Sequence, residues 1–189
     1  MSEDIEKIRK ELFSYTKDNY GEKYQDHLLE EYKLYIQMMD NNSARRANAN
    51  TFFLTINSAI VAIMGIITKL AGCPMFINIL WIILSAIFGI ILCYRWEDII
   101  NSYSDLNAGK FQIIHLLEER LPAKLYKAEW DYLRPEEGEK KYTQMTVTEK
   151  RVIRMFRALY IILIIIGLVS YFFSDELHKL FIQIMSEFG

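Results

Sequence analysis

The residues with the greatest capacity for chemistry are three histidines, because histidine is a common general base and metal ligand near neutral pH. They are His27, His115 and His178, and they lie in three different stretches of helical periodicity. None has a Cys, Asp or Glu partner at a metal-site spacing such as HExxH or CxxC. The sequence also lacks a glycine-rich phosphate loop and a GxSxG nucleophile elbow. We therefore expect no metal, no cofactor and no enzymatic activity.

One weak candidate for nuclease chemistry is the pair Lys110 and His115. HEPN ribonucleases are all-helical and use an arginine followed, after a short variable spacer, by a histidine. Here the run is Lys-Phe-Gln-Ile-Ile-His, with lysine in place of arginine. Lysine lacks the planar guanidinium that holds phosphate through two hydrogen bonds. For this reason a membrane-tethered HEPN-like ribonuclease ranks third among the functional hypotheses, after the two given at the end of this section.

A polar face on an apolar helix is the feature with the most functional content. Residues 45–70 start with Arg45 and Arg46 and continue as mostly apolar sequence, enough for about 30 Å of helix and so for one bilayer crossing. At about 100° per residue, the polar side chains of this run share an arc of about 160°. They are Asn50, Thr51, Thr55, Asn57 and Ser58. The opposite side carries phenylalanine and isoleucine and suits lipid.

This polar arc has two interpretations. In the first, its side chains hydrogen-bond to the next span, where Ser85, Gly89 and Cys93 form a stripe of small residues that permits close helix approach. In the second, the stripe covers only part of the arc, and Asn50, Asn57 and Thr51 face water in a pore shared between subunits. The residues alone leave both interpretations open.

Three apolar runs of membrane length place the arc in a membrane protein. The chain has 189 residues, of which 52% are hydrophobic and 24% charged, with a formal net charge of −2. The apolar residues concentrate in 51–70, 75–94 and 155–173, which is unusual for a soluble domain of this size. Interleaved acids and bases give no reason to expect direct nucleic-acid binding. The predicted fold is an all-α integral membrane subunit with long amphipathic cytoplasmic helices, assembled in an oligomeric ring.

Charge distribution divides the chain and orients it. We predict N-terminal cytoplasmic helices in 1–44, a transmembrane hairpin in 45–94, a cytoplasmic helical region in 95–154, a third transmembrane helix in 155–174 and an amphipathic C-terminal segment in 175–189.

From Arg95 to Arg154 there are eleven Lys or Arg, whereas Lys69 is the only basic residue near the hairpin turn. The positive-inside rule therefore predicts a cytoplasmic N-terminus. The predicted cytoplasmic anchors are Arg45, Arg46, Arg151, Arg154 and Arg157.

Local signals predict where the helices begin and end. A short amphipathic helix is expected over residues 2–18. The capping residues from Asp40 to Ser43 either interrupt the next helix or lie within it. Pro122 limits the extension of the second span beyond the membrane. Thr146 and Glu149 have the spacing of a capping box, which predicts the start of the last helix.

A signature in the first span carries a resemblance to a known family. The pattern is Arg-Arg-x-x-x-Asn-x-Phe-Phe-Leu-x-x-Asn, formed here by Arg45, Arg46, Asn50, Phe52, Phe53, Leu54 and Asn57. With the tyrosine-rich helix before it, this run resembles the RipA-like family of small octameric membrane proteins. That family includes the accessory membrane pore protein of type VI-B CRISPR systems. The resemblance implies a helical subunit assembled in eights around a central pore.

The leading hypothesis is a homo-oligomeric, channel-like pore in the bacterial inner membrane. Its expected partners are the lipid bilayer and further copies of the chain. The resemblance adds an antiviral, CRISPR-associated accessory role that permeabilises or depolarises the membrane, with a functional link to an RNA-guided effector nuclease. The alternative hypothesis is a membrane-anchored scaffold or sensor without a conducting pore, in which the arc serves packing alone.

Overall fold

The protein is helical throughout the part of the chain that the structure describes. A computed structural model describes residues 2–70, 74–133 and 144–187, with side chains described for 4–67, 74–133 and 144–173. Within these ranges there are six helices and no strand. They are α1 (Ser2–Leu12), α2 (Lys17–Tyr20), α3 (Tyr24–Leu70), α4 (Met75–Glu118), α5 (Leu125–Leu133) and α6 (Met145–Glu187). The predicted all-α class is confirmed.

Three of these helices are long and apolar enough to cross a membrane. The qualifying stretches are Tyr24–Ile67, Met75–Glu118 and Met145–Phe173. Each contains one of the three apolar runs of the sequence, and a helix of about 20 residues already matches the hydrocarbon thickness of a bilayer. The prediction of a membrane protein with three apolar helices is confirmed.

The helix predicted over residues 2–18 is wrong in its extent. The first helix ends at Leu12, and Thr16 then adopts an extended backbone with φ of −111° before α2 begins. The Thr16 N–H donates to Asn19 Oδ1 at 2.6 Å, and a residue in this N-cap conformation cannot continue a preceding helix. Gly21, with a φ of 101°, ends α2 in a backbone region that glycine enters at little cost.

The other helix signals have mixed outcomes. Helix α3 runs through Asp40–Ser43 without a break, and the buried Asn42 donates from Nδ2 to Asn107 Oδ1 at 2.5 Å. Helix α4 ends at Glu118, just before Pro122, as predicted. The capping box is misplaced, because α6 already begins at Met145 and Thr146 lies inside its first turn.

Some predicted features lie outside the described residues. These are most of the hairpin turn expected over residues 71–74, with Cys73, most of the solvated loop expected over residues 135–144, and the side chains of His178 and of the amphipathic segment 175–189.

The chain divides into two compact units. Unit 1 comprises Met1–Arg46 and Ser102–Thr143, and unit 2 comprises Ala47–Asn101 and Gln144–Gly189. The core of unit 2 joins α3, α4 and α6 through large buried side chains, among them Trp96, Ile153 and Tyr160. Since the polar arc belongs to unit 2, this three-helix core positions it.

Candidate functional site

The polar arc of α3 is divided between the interior and the surface of unit 2. Asn57 has no exposed surface and Asn50 is half-buried, whereas Thr51, Thr55 and Ser58 are exposed. The two asparagines therefore make contacts inside the subunit, whereas the three hydroxyl residues lie on its surface.

Asn57 joins all three helices of unit 2. The Tyr160 hydroxyl of α6 donates to Asn57 Oδ1 at 3.0 Å and lies 3.2 Å from the Asn57 carbonyl. Asn57 Nδ2 donates to the Phe53 carbonyl at 2.8 Å, and the Cys93 thiol of α4 donates to Oδ1 at 3.5 Å. A buried amide in a span needs such partners, since the surrounding hydrocarbon offers none. Asn57 is thus a polar link within the subunit.

Asn50 makes a second link from α3 to α4, two helical turns before the first. The indole Nε1 of Trp96 donates to Asn50 Oδ1 at 3.0 Å. Trp96 is fully buried, and its ring stacks on Phe53 with centroids 6.0 Å apart and planes 9° apart. Tryptophan places its apolar body in the core and needs a partner for its one donor. Asn50 is that partner.

The stripe of small residues on α4 packs against two different helices. An added Cβ at Gly89 would lie 2.3–2.6 Å from ring carbons of Tyr160, so the tyrosine ring occupies the space that a side chain would need. Cys93 is fully buried beside Asn57, and Ser85 is half-buried. Gly89 therefore admits α6, and Cys93 contacts α3.

The exposed part of the arc continues along α3 as a stripe of small and hydroxyl residues. We call Thr51, Thr55, Ser58, Ala62 and Gly65 the open polar stripe. All five are exposed in the subunit, and an added Cβ at Gly65 would meet nothing within 4 Å. At about 100° per residue they occupy about 80° of the helix surface. The Thr55 hydroxyl donates to the Thr51 carbonyl at 2.8 Å, a common way to satisfy a helical threonine.

The predicted arginine anchors occupy different environments. Arg157 is mostly buried, donates from Nη2 to Glu97 Oε2 at 2.6 Å, and lies 4.9 Å from the centre of the Tyr94 ring. Arg151 and Arg154 are exposed. A largely desolvated ion pair on membrane helices requires a matched partner, and Glu97 is one that the sequence interpretation missed. Its signal is an acid within one helical turn of the end of an apolar run.

The other two arginines also differ from each other. In unit 1, Arg45 is exposed and Arg46 is buried.

Lys110 and His115 face different partners in unit 1. The Lys110 ammonium lies 4.7 Å from the centre of the Tyr35 ring, and the His115 ring lies 6.4 Å from that of Phe111. Five residues apart on α4, the two side chains leave the helix about 140° from each other.

A buried carboxylate at the end of α4 was missed by the sequence interpretation. Glu118 has no exposed surface. Its Oε1 accepts from the Tyr32 hydroxyl at 3.1 Å and the Tyr126 N–H at 2.8 Å, and its Oε2 accepts from the Lys127 N–H at 3.1 Å. It thereby caps the first turn of α5, where N–H groups lack helical partners and favour negative charge. Burial is the main cause that raises the pKa of the Tyr126 phenol.

The next two residues bind the N-terminal segment of unit 1. Glu119 forms an ion pair with Arg9 of α1. Arg120 donates from Nη1 to the Tyr24 hydroxyl at 2.5 Å, and its guanidinium lies 3.7 Å from the centre of the Phe13 ring. The negative charges of Glu118 and Glu119 interact unfavourably with the helix dipole at the C-terminus of α4. This placement is the signal in the sequence that the two acids bind partners outside the helix.

A comparison with protein families matches most of the chain. The matching family model is described as the octameric membrane protein family (8xMP), and it covers residues 29–169. The matched range includes α4 and α5 entirely, together with most of α3. Neither a curated protein nor a solved structure matches this chain.

Proposed function

The chain belongs to the octameric membrane protein family, and from this premise we propose that it forms a homo-octameric pore. The open polar stripe carries the proposal. Each stripe presents the hydroxyls of Thr51, Thr55 and Ser58 on a helix that otherwise suits lipid. A ring of subunits brings one stripe from each copy towards a common axis, where the hydroxyls contact water. Neutral hydroxyl groups along a lumen give weak ion selectivity.

The exposed surfaces beside the stripe support this orientation. On α3, Phe52, Ile63 and Ile66 are exposed and apolar. On α4 and α6, the exposed residues include Phe88 and Ile165. Such side chains are favourable in hydrocarbon, whereas hydroxyl groups gain more from water or from protein partners. The stripe is therefore the part of α3 best suited to a lumen.

A scaffold without conduction is the second candidate, and one contact favours it. The Thr55 hydroxyl is already bonded to the Thr51 carbonyl, so it needs no water. Ala62 and Gly65 continue the stripe with minimal side chains, and small residues permit close packing of membrane helices from neighbouring copies. In this arrangement the stripe is an interface between subunits, and no aqueous path crosses the membrane.

Dye release from vesicles separates the two candidates. We expect the purified octamer to release a small dye, and Thr55→Leu to reduce release at least about tenfold because an apolar ring in a lumen gates by dewetting. The matched control is Ile63→Leu on the exposed apolar side of the same helix, which should release dye normally. The mass of each detergent-solubilised complex is measured in parallel. Wild-type octamer that releases no dye under any activating condition tried would contradict the pore.

We also propose that the protein is not an enzyme. The lysine in place of arginine at position 110, and the contact of its ammonium with the Tyr35 ring, support this view. Purified octamer is expected to leave single-stranded RNA intact, with the same background for wild type and His115→Ala. Cleavage by wild type that His115→Ala abolishes would establish a ribonuclease instead.

The cellular role that we propose is antiviral. It rests on the resemblance of the Arg45–Asn57 signature to the accessory membrane protein of type VI-B CRISPR systems, and on the excess of basic residues that predicts a cytoplasmic N-terminus in the bacterial inner membrane. The pore would depolarise the membrane in response to an RNA-guided effector nuclease. The Thr55→Leu variant should then fail to protect cells from phage while reaching the membrane at wild-type levels, and full protection by this variant would contradict the role.

A further inference from the structure

Unit 1 contains a cavity that the proposed pore does not use. It lies among α1, α2 and the start of α3 and has a volume of about 150 Å³, comparable to the liquid volume of about five water molecules. Aromatic rings and one carboxylate dominate its walls. These lining residues are Phe13, Tyr15, Tyr20, Tyr24, His27 and Glu31.

The aromatic walls are held together by their own contacts. The Tyr20 ring meets Tyr15 and Tyr24 edge to face, with centroids 5.9 Å apart in both pairs. It meets the His27 ring at 5.7 Å, and the Tyr20 hydroxyl lies 2.8 Å from His27 Nδ1 in a hydrogen bond. Tyr20 is thus the central ring of this group and contacts three of its other members.

A cation already lies on one of these walls. The Arg120 guanidinium lies 3.7 Å from the centre of the Phe13 ring and donates a hydrogen bond to the Tyr24 hydroxyl at 2.5 Å. This contact fixes the position of Phe13 and Tyr24.

We propose that this cavity binds a small organic cation with an alkylammonium group. Aromatic faces attract such cations, and several rings around one cation form the usual recognition site for quaternary ammonium groups. Glu31 adds an opposite charge at the same cavity. A hydrated metal ion would need several oxygen ligands, whereas an alkylated cation can give up water to ring faces.

Binding is tested by calorimetry on the full-length octamer in a maltoside detergent, which contains no ammonium group. The probes are tetramethylammonium and choline, and the matched neutral probe is 3,3-dimethyl-1-butanol, which has the shape of choline without its charge. We expect saturable binding of both cations and at least about tenfold weaker binding of the alcohol. No saturable binding of either cation, or equal binding of the alcohol, would overturn the proposal.

Two neighbouring acids provide a matched pair of variants. Glu31→Gln removes the charge at the cavity and should weaken choline binding severalfold, and Tyr20→Leu should weaken it at least about tenfold by removing the central ring. Glu30→Gln is the control, since Glu30 pairs with Lys33 on the surface of α3 and should bind choline as wild type does. Equal effects of Glu31→Gln and Glu30→Gln would show that the affinity comes from surface charge and would refute the site.

The source of the ammonium group is resolved by a second arm. Choline binding is repeated in nanodiscs of phosphatidylglycerol with and without phosphatidylcholine. Loss of choline binding only when phosphatidylcholine is present identifies a lipid headgroup, and unchanged binding identifies a free cation. Both outcomes support an alkylammonium site. The proposed pore is tested independently, because dye release depends on α3 in unit 2 and not on this cavity.

Discussion

Glu118→Ala is expected to destabilise unit 1 by about 3 kcal/mol, the upper range for loss of a buried, charged hydrogen-bond acceptor. The carboxylate accepts from the Tyr32 hydroxyl and from the N–H groups of Tyr126 and Lys127. Alanine leaves these donors without their acceptor and removes the charge that favours the first turn of α5. We expect an earlier thermal transition of unit 1 and faster amide exchange at Tyr126 and Lys127.

The adjacent acid is the matched control for this experiment. Glu119 also forms an ion pair, with Arg9, but it is exposed. Exposed ion pairs contribute roughly 0–1 kcal/mol, so Glu119→Ala should shift the transition little. Glu118→Gln should fall between the two, because its amide keeps one acceptor oxygen. Equal effects of the two alanine variants would show that the buried carboxylate does not hold α5.

Gly89→Ala is expected to destabilise unit 2 by about 3 kcal/mol, at the upper end for overpacking of a core. The new methyl group would lie 2.3–2.6 Å from ring carbons of Tyr160. That ring has no exposed surface, and its hydroxyl is bonded to Asn57, so moving the ring also disturbs the buried amide. The loss of stability is measured by thermal unfolding, and its effect on assembly by the mass of the complex in detergent.

Two comparisons make this result specific. Gly167→Ala is the control, because its Cβ would lie at an ordinary 3.5 Å from the nearest atom, in Ile83, and alanine is a better helix former than glycine. Tyr160→Ala makes space for the new methyl group, so adding Gly89→Ala to it should cost much less than in wild type. Strictly additive effects would show that Tyr160 is not what Gly89 accommodates.

The sequence predicts the helices well because each apolar run matches the length of a membrane crossing. It also places the polar arc correctly on α3, since side-chain direction on a helix follows from residue number. It does not say which neighbour covers which part of the arc. Tyr160 reaches Asn57 from 103 residues away, and a contact that distant leaves no local pattern.

The errors at helix ends have a related cause. Asn19 stands where a capping box that starts with Thr16 usually has Glu or Gln, so the interruption after Leu12 was not recognised. Glu118 was not recognised as a buried acid, because its partners lie in α3 and in the following helix α5. Periodicity identifies a buried apolar face, but it does not identify a buried acid whose donors are elsewhere in the fold.

The polar arc of α3 has a buried part and an exposed part that can be changed separately. Asn50 and Asn57 form the buried part and bind α4 and α6, and Thr51, Thr55 and Ser58 form the exposed part. Folding of the subunit therefore depends on one set of side chains, and the proposed conduction depends on a different set. A designer could replace the hydroxyl residues with charged or bulkier ones to change which solutes pass, while leaving the bonds that define the subunit intact.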